Sequence, residues 1–173
     1  MQTHQVAVGG HPDLPHRCGS TPFAPRLADA CPLDNILLDV PVEGAIQLFD
    51  LVACHVARGS GVSAERIGAE LIKRERLGST GLGQGVAIPH ARVDGLGSAV
   101  ALFVRARYPF AFNAPDSKPV REFIVLVLPH ADDRAHLELL ADAARWFSER
   151  AIRQASRDAQ TPDEIHRLMQ LVV

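Results

Sequence analysis

The residues best equipped for chemistry lie in one segment, Arg74-Glu75-Arg76-Leu77-Gly78-Ser79-Thr80-Gly81-Leu82-Gly83-Gln84-Gly85-Val86-Ala87-Ile88-Pro89-His90. Its last residue is a histidine held directly behind a proline. A neutral imidazole is a good nucleophile near pH 7, and phosphorus is among the electrophiles it attacks. Such a reaction needs one ring nitrogen held by an acceptor and the other free to react. It also needs cations and N–H donors around the arriving oxygens. Arg74, Ser79, Thr80 and the glycine-turn amides are the candidates close in sequence. Two nucleotide readings of the glycines fail. A dinucleotide fingerprint follows a strand and opens a helix, whereas these glycines follow a helical pattern and lead into a strand. A phosphate-binding loop of the GxxxxGK[ST] type needs a lysine, and the segment has none. Residue chemistry alone leaves two readings open: a tight helix-to-strand connection with a structural histidine, or a phosphoryl-accepting site.

The other histidines sort by setting. His136 falls in the first turn of a predicted helix, where backbone N–H groups and the helix dipole favour anions. His130 follows Pro129 at a strand end and reads as a loop residue. His55 lies mid-helix between Cys54 and Val56 and reads as structural. His4, His11, His16, Cys18 and Cys31 match no common zinc spacing, so no metal is expected. The three cysteines form no CxxC pair and no evident disulfide framework. A reducing cytoplasm fits them.

The elements that must position these residues follow from periodicity. Residues 1–32 carry five prolines and three glycines without a helical or strand period. They read as a mobile tail before a domain over 33–173. Strands are predicted at 36–40, 86–88, 100–104 and 122–128. The last is a near-continuous apolar run suited to a central strand covered on both faces. A helix over 41–58 presents a 3.6-residue apolar stripe. A second runs from an N-cap at Ser63 to Arg76. Further helices are predicted from Asp132 or Asp133 to Ser148, and over 151–157. The last starts at Pro162 behind the Thr161–Glu164 capping box. Residues 78–85 and 108–119 read as turns. Strands interleaved with helices imply an α/β fold: a mixed central sheet with helices on both faces, in three layers.

Composition excludes several classes. The chain has 173 residues, 47% hydrophobic and 22% charged, with a net charge of −2. No basic excess points to nucleic acid and no polybasic run to a membrane surface. No apolar run is long enough to span a bilayer, and no signal-peptide pattern opens the chain.

The run 78–92, GSTGLGQGVAIPHAR, resembles the signature of the type 2 IIA domains of the bacterial phosphoenolpyruvate-dependent phosphotransferase system. The likeness covers roughly 33–173. The stretch 109–120, from Pro109-Phe110 to Pro119-Val120, is similar to the nitrogen-regulatory branch. The resemblance implies that His90 is phosphorylated at Nε2, with Arg74 and His136 as the accompanying arginine and second histidine. It implies a small histidine-phosphocarrier protein as donor and no cofactor. It also implies regulatory targets such as a potassium transporter or a sensor kinase. Two other outcomes fit the same family: a fructose- or mannitol-type IIA subunit feeding a sugar permease, and a regulatory binding module without onward transfer. Arg76, Arg92 and Arg105 are candidates for contact with a partner protein. The segment 128–134 is more charged and richer in histidine than the family pattern leads one to expect.

Overall fold

The computed structural model describes residues 26–130 and 133–171, the side chains of 133–135 excepted. A short helix, α1 (Leu27–Ala30), and a 3-10 turn (Leu33–Asn35) lead into β1 (Ile36–Val40). Helices α2 (Ala45–Ser60) and α3 (Ala64–Arg76) follow, then β2 (Gly81–Gly83), β3 (Val86–Ala87), β4 (His90–Val93), β5 (Val100–Phe110) and β6 (Val120–Pro129). Helices α4 (Asp133–Ser148), α5 (Arg150–Asp158) and α6 (Pro162–Leu171) complete the described chain.

The six strands form one mixed sheet in the order β1-β5-β6-β3-β2, with β4 also paired to β6. β5 and β6 are antiparallel, while β1 runs parallel to β5, and β3 and β4 run parallel to β6. The alternation of strand side chains divides the core in two. Phe123, Val125 and Val127 of β6 pack with Phe49, Val52, Ile67 and Leu71 of α2 and α3. Ile124, Leu126 and Leu128 pack on the other face with Leu139, Trp146, Ile165 and Met169 of α4 and α6. This is the expected three-layer α/β arrangement, with β6 buried on both sides.

The starts of α3 and α6 follow their sequence signals, whereas α2 runs over Ala45–Ser60 rather than 41–58. Ser63 Oγ accepts from the Arg66 amide at 3.4 Å at the start of α3. Thr161 and Glu164 exchange capping hydrogen bonds at the start of α6. Gly61, at φ 71°, ends α2 in the left-handed region that glycine adopts without strain.

The tail boundary expected at residue 32 is corrected. Leu27 and Ala30 of α1 are buried, Cys31 is fully buried, and all three belong to the α4/α6 core. Leucine burial wins over the local proline content. The same burial pushes the Cys31 thiol up to about 12. Residues 1–25, including His4, His11, His16 and Cys18, lie outside the described residues, as does Asp132.

Candidate active site

β3 and β4 pair in succession along the same side of β6, with a break at Ile88-Pro89; β3 is flanked by β2 beyond it, whereas β4 pairs with β6 alone. Pro89 has no N–H, but its carbonyl still accepts from the Leu126 amide at 2.9 Å. The break leaves the Ile88 carbonyl out of the β6 ladder, where the side chain two residues on reaches it. His90 Nδ1 lies 2.9 Å from Ile88 O, and Arg74 Nε lies 3.1 Å from His90 Nε2. A carbonyl only accepts and a guanidinium N–H only donates. Nδ1 therefore carries the proton and Nε2 the lone pair. Burial lowers the His90 pKa below its ordinary value. The Arg74 charge adds to this lowering, while the Ile88 carbonyl and the Glu75 charge oppose it. The ring is thus held as a neutral base with its nucleophilic nitrogen defined.

Arg74 sits in the last turn of α3, and its Nη1 also donates to Gly78 O at 3.0 Å. α3 lies on the face of the sheet opposite α4. Because β4 is at an edge, Arg74 reaches round to the ring from one side while His136, in the first turn of α4, approaches from the other. The His90 and His136 rings are 5.7 Å apart by centroid and 78° inclined. Lys73, Arg74, His90, Arg92, His130 and His136 line one cavity of about 290 Å³. That volume is near the lower end of the range for small-ligand pockets. Lysine and arginines beside a neutral imidazole suit an anion that the imidazole attacks. Among the described residues no group of three or more His, Cys, Asp or Glu side chains is placed to hold a metal.

Ser79 and Thr80 do not join this cavity. Ser79 Oγ donates to Phe112 O at 2.7 Å and accepts from the Gly81 amide at 3.1 Å. Buried Thr80 donates to Glu75 through its amide at 2.9 Å and its hydroxyl at 2.6 Å. Both side chains fasten the connection between α3 and β2 and lie outside the cavity lining. The Gly78 amide likewise donates within the turn, to Glu75 O at 3.2 Å. Gln84 and Gly85, with φ of 58° and 82°, form the tight turn of a β2–β3 hairpin. The Gln84 amide bonds Asp116 at 2.9 Å. At Gly81 an added Cβ would lie 2.8 Å from the Ala114 Cα, so only glycine allows this close passage of two backbones.

Residues 30–171 match the family described as phosphoenolpyruvate-dependent sugar phosphotransferase system, EIIA 2. The chain belongs to this family. A nitrogen regulatory protein of Pseudomonas aeruginosa is 34% identical over 134 residues, covering 77% of this chain and 87% of its own. The fructose-specific EIIA component of Haloferax volcanii is 30% identical over 148 residues, covering 82% and 93%. The crystal structure of nitrogen regulatory protein IIA-Ntr from Neisseria meningitidis superposes with a TM-score of 0.79 at 38% identity, over 83% of this chain and 98% of that one.

Within this EIIA domain the remaining expectations divide. His55 is structural, as read: its Nε2 is 2.9 Å from Asn35 Oδ1, and Asn35 Nδ2 donates to Ala101 O at 3.0 Å. Arg92 lines the cavity and Arg76 is exposed outside its lining. Arg105 is corrected. It is 2% exposed and so cannot dock a partner. Its guanidinium pairs with Asp39 at 2.8 and 3.0 Å and donates to the carbonyls of Ser156 and Ala159. His130, read as a loop residue, lines the cavity. The missed signal was register. His90 and Arg92 pair with Leu126 and Leu128, and the next residue in that alternating series is His130. No helix among the described residues is long and apolar enough to cross a membrane.

Proposed function

We propose that this EIIA domain is a phosphocarrier in which His90 Nε2 accepts a phosphoryl group from the phosphohistidine of a small histidine-phosphocarrier protein. The observation that carries the reading is the fixed tautomer of His90, with Nδ1–H on Ile88 O and the Nε2 lone pair facing Arg74. The Nε2 lone pair attacks phosphorus while the donor's P–N bond breaks, and the electron pair of that bond returns to the donor imidazole. The reaction exchanges one protonated phosphoimidazole for another, so no proton has to enter or leave. The Nδ1–H bond to Ile88 stabilises the positive charge that grows on the ring. Arg74 shifts from the lone pair to a phosphoryl oxygen, and His136 bonds another. Transfer of this kind rests on positioning and charge stabilisation rather than covalent help from further groups.

Similarity to nitrogen regulatory proteins over most of the chain supports a cytoplasmic regulatory role, with the phosphorylation state setting which target is bound. Potassium transport or a sensor kinase is the proposed class of target. The similarity to a fructose-specific EIIA component favours a second reading, onward transfer to a sugar-permease subunit. Incubation with purified donor, its upstream enzyme and phosphoenolpyruvate should add one phosphate by intact mass, labile in acid and stable in base. His90→Ala should add none, and a label retained in that variant would overturn the assignment. Drainage of the label by a IIB-type acceptor would select the second reading.

A further inference from the structure

His130 stands in the turn between Pro129, the last residue of β6, and α4. Its ring is exposed, and it lines the same cavity as His90, Arg74 and His136. The mechanism above gives it no task. The register places it deliberately, since β4 residues His90 and Arg92 and β6 residues Leu126 and Leu128 alternate toward the α4 side of the sheet. One more step along β6 brings His130 to the rim.

We propose that His130 is a third imidazole of the phosphoryl site, a hydrogen-bond donor to the bound phosphoryl group whose protonation couples phosphorylation to pH. The inference rests on the phosphocarrier reading of His90. The phosphoryl group brings about two negative charges. The groups facing it are Glu70, Lys73 and Arg74 from α3, Arg92 from β4, and His136 from α4. Lysine and arginine hold a fixed charge between pH 5 and 8, whereas an imidazole changes charge there. His136 is half-buried against His90, while His130 is at the mouth, where it can take a proton from water. No bond to phosphorus forms on His130. It supplies an N–H when neutral and a cation when protonated, and the P–N bond stays on His90.

Coupling is reciprocal. If protonated His130 favours the phosphorylated state, phosphorylation must raise the proton affinity of His130 by the same factor. An exposed, partly screened contact is expected to give about tenfold, equivalent to about 1.4 kcal/mol. The test follows the His130 ring resonances of the full chain by NMR across pH 5–8, before and after phosphorylation by the donor. The phosphoryl-transfer equilibrium with the donor is measured in parallel. The His130 titration should move about tenfold toward lower proton concentration on phosphorylation. In the parent, acidification should pull the equilibrium toward this protein by the same factor. His130→Gln should lose that component while His136 remains. His130→Lys should keep the favourable equilibrium with its dependence on His130 protonation removed. Identical His130 titrations in the two states, or a His130→Gln equilibrium that matches the parent at every pH, would overturn the proposal while His90 phosphorylation stands. Failure of His90 to take up phosphate would overturn the underlying reading, and this inference with it.

Discussion

At the scale of single residues, His90 works because two neighbours decide its proton. The Ile88 carbonyl and Arg74 Nε–H fix one tautomer, and burial with the Arg74 charge keeps the ring neutral. The linkage sign follows. A histidine with a lowered pKa in the folded state adds stability above its unfolded pKa of about 6.5, and that stability is lost as pH falls through the folded value. The rate at which His90 takes up phosphate should therefore stay level as pH falls past about 6.5, and decline only further into acid. Stopped-flow transfer from phosphorylated donor would show a decline centred at or above 6.5 if the ring were not protected. In Arg74→Ala one cause of the lowering is gone, so the ring titration observed by NMR should move to higher pH. The same variant loses a charge-assisted hydrogen bond of about 1.5–3 kcal/mol in the transition state. Its transfer should slow by roughly 10- to 150-fold, as should that of His136→Ala. Arg74→Lys should recover only part, because a point charge replaces a planar fork. Rates within about twofold of the parent in both alanine variants would remove Arg74 and His136 from the site, since one such bond implies at least a tenfold step.

At the scale of elements, the site depends on how α3 is fastened to the hairpin that follows it. Glu75, beside Arg74, uses both carboxylate oxygens to hold the Thr80 amide and hydroxyl. The Thr80 carbonyl in turn accepts from Ile88 at 3.0 Å, and the Ile88 carbonyl orients His90. One chain of bonds thus runs from the end of α3 to the imidazole. Thr80→Val should leave the half-buried Glu75 carboxylate short of a donor and lower stability by about 1–3 kcal/mol, measured by urea unfolding. If Thr80 serves architecture, single-turnover transfer by the folded variant should stay within severalfold of the parent. A loss beyond about 100-fold without loss of stability would return Thr80 to phosphoryl binding. Much of this was legible in the sequence, because helix caps, apolar periods and the Pro89-His90 pair are local signals. The glycine-rich run was harder. Its composition announces turns, and only the partner strand reveals that Gly81–Gly83 is itself β2. The stretch from Tyr108 also reads as a turn, yet β5 continues to Phe110. Pro109 is tolerated because pairing with β6 is irregular between Arg105 and Phe110.

At the scale of the whole molecule, the two cores carry different burdens. The α2/α3 core holds the site's arginine, and the α4/α6 core holds its second histidine and much of the buried charge. Arg105 was invisible as a core residue because long cations are usually at the surface. Yet it continues the inward series of Ala101 and Phe103 along β5. Glu122 stands opposite it in the β5–β6 register, is fully buried, and has one carboxylate oxygen 3.7 Å from Arg157 Nε. Burial pushes its carboxyl up, against the pull of Ser156, Arg157, Arg105 and Arg121. Such a cluster is strongly destabilised when one member is removed, so Arg105→Ala should cost about 3–5 kcal/mol while leaving His90 competent in the folded fraction. The same core explains why the tail boundary was misread: prolines dominate the composition of 1–32, whereas packing is decided by Leu27, Ala30 and Cys31. Two truncations separate the readings. A chain starting at residue 26 keeps α1, and one starting at 33 deletes it. Burial of Leu27 alone is worth about 1.5–3 kcal/mol, so the shorter chain should melt lower by at least several degrees, about 2–4 °C for each kcal/mol. Both should still take up phosphate below their melting points, since α1 packs with α4, α6 and β5 and does not line the cavity. Equal melting temperatures by circular dichroism would show that α1 adds nothing to the fold and restore the boundary at residue 32.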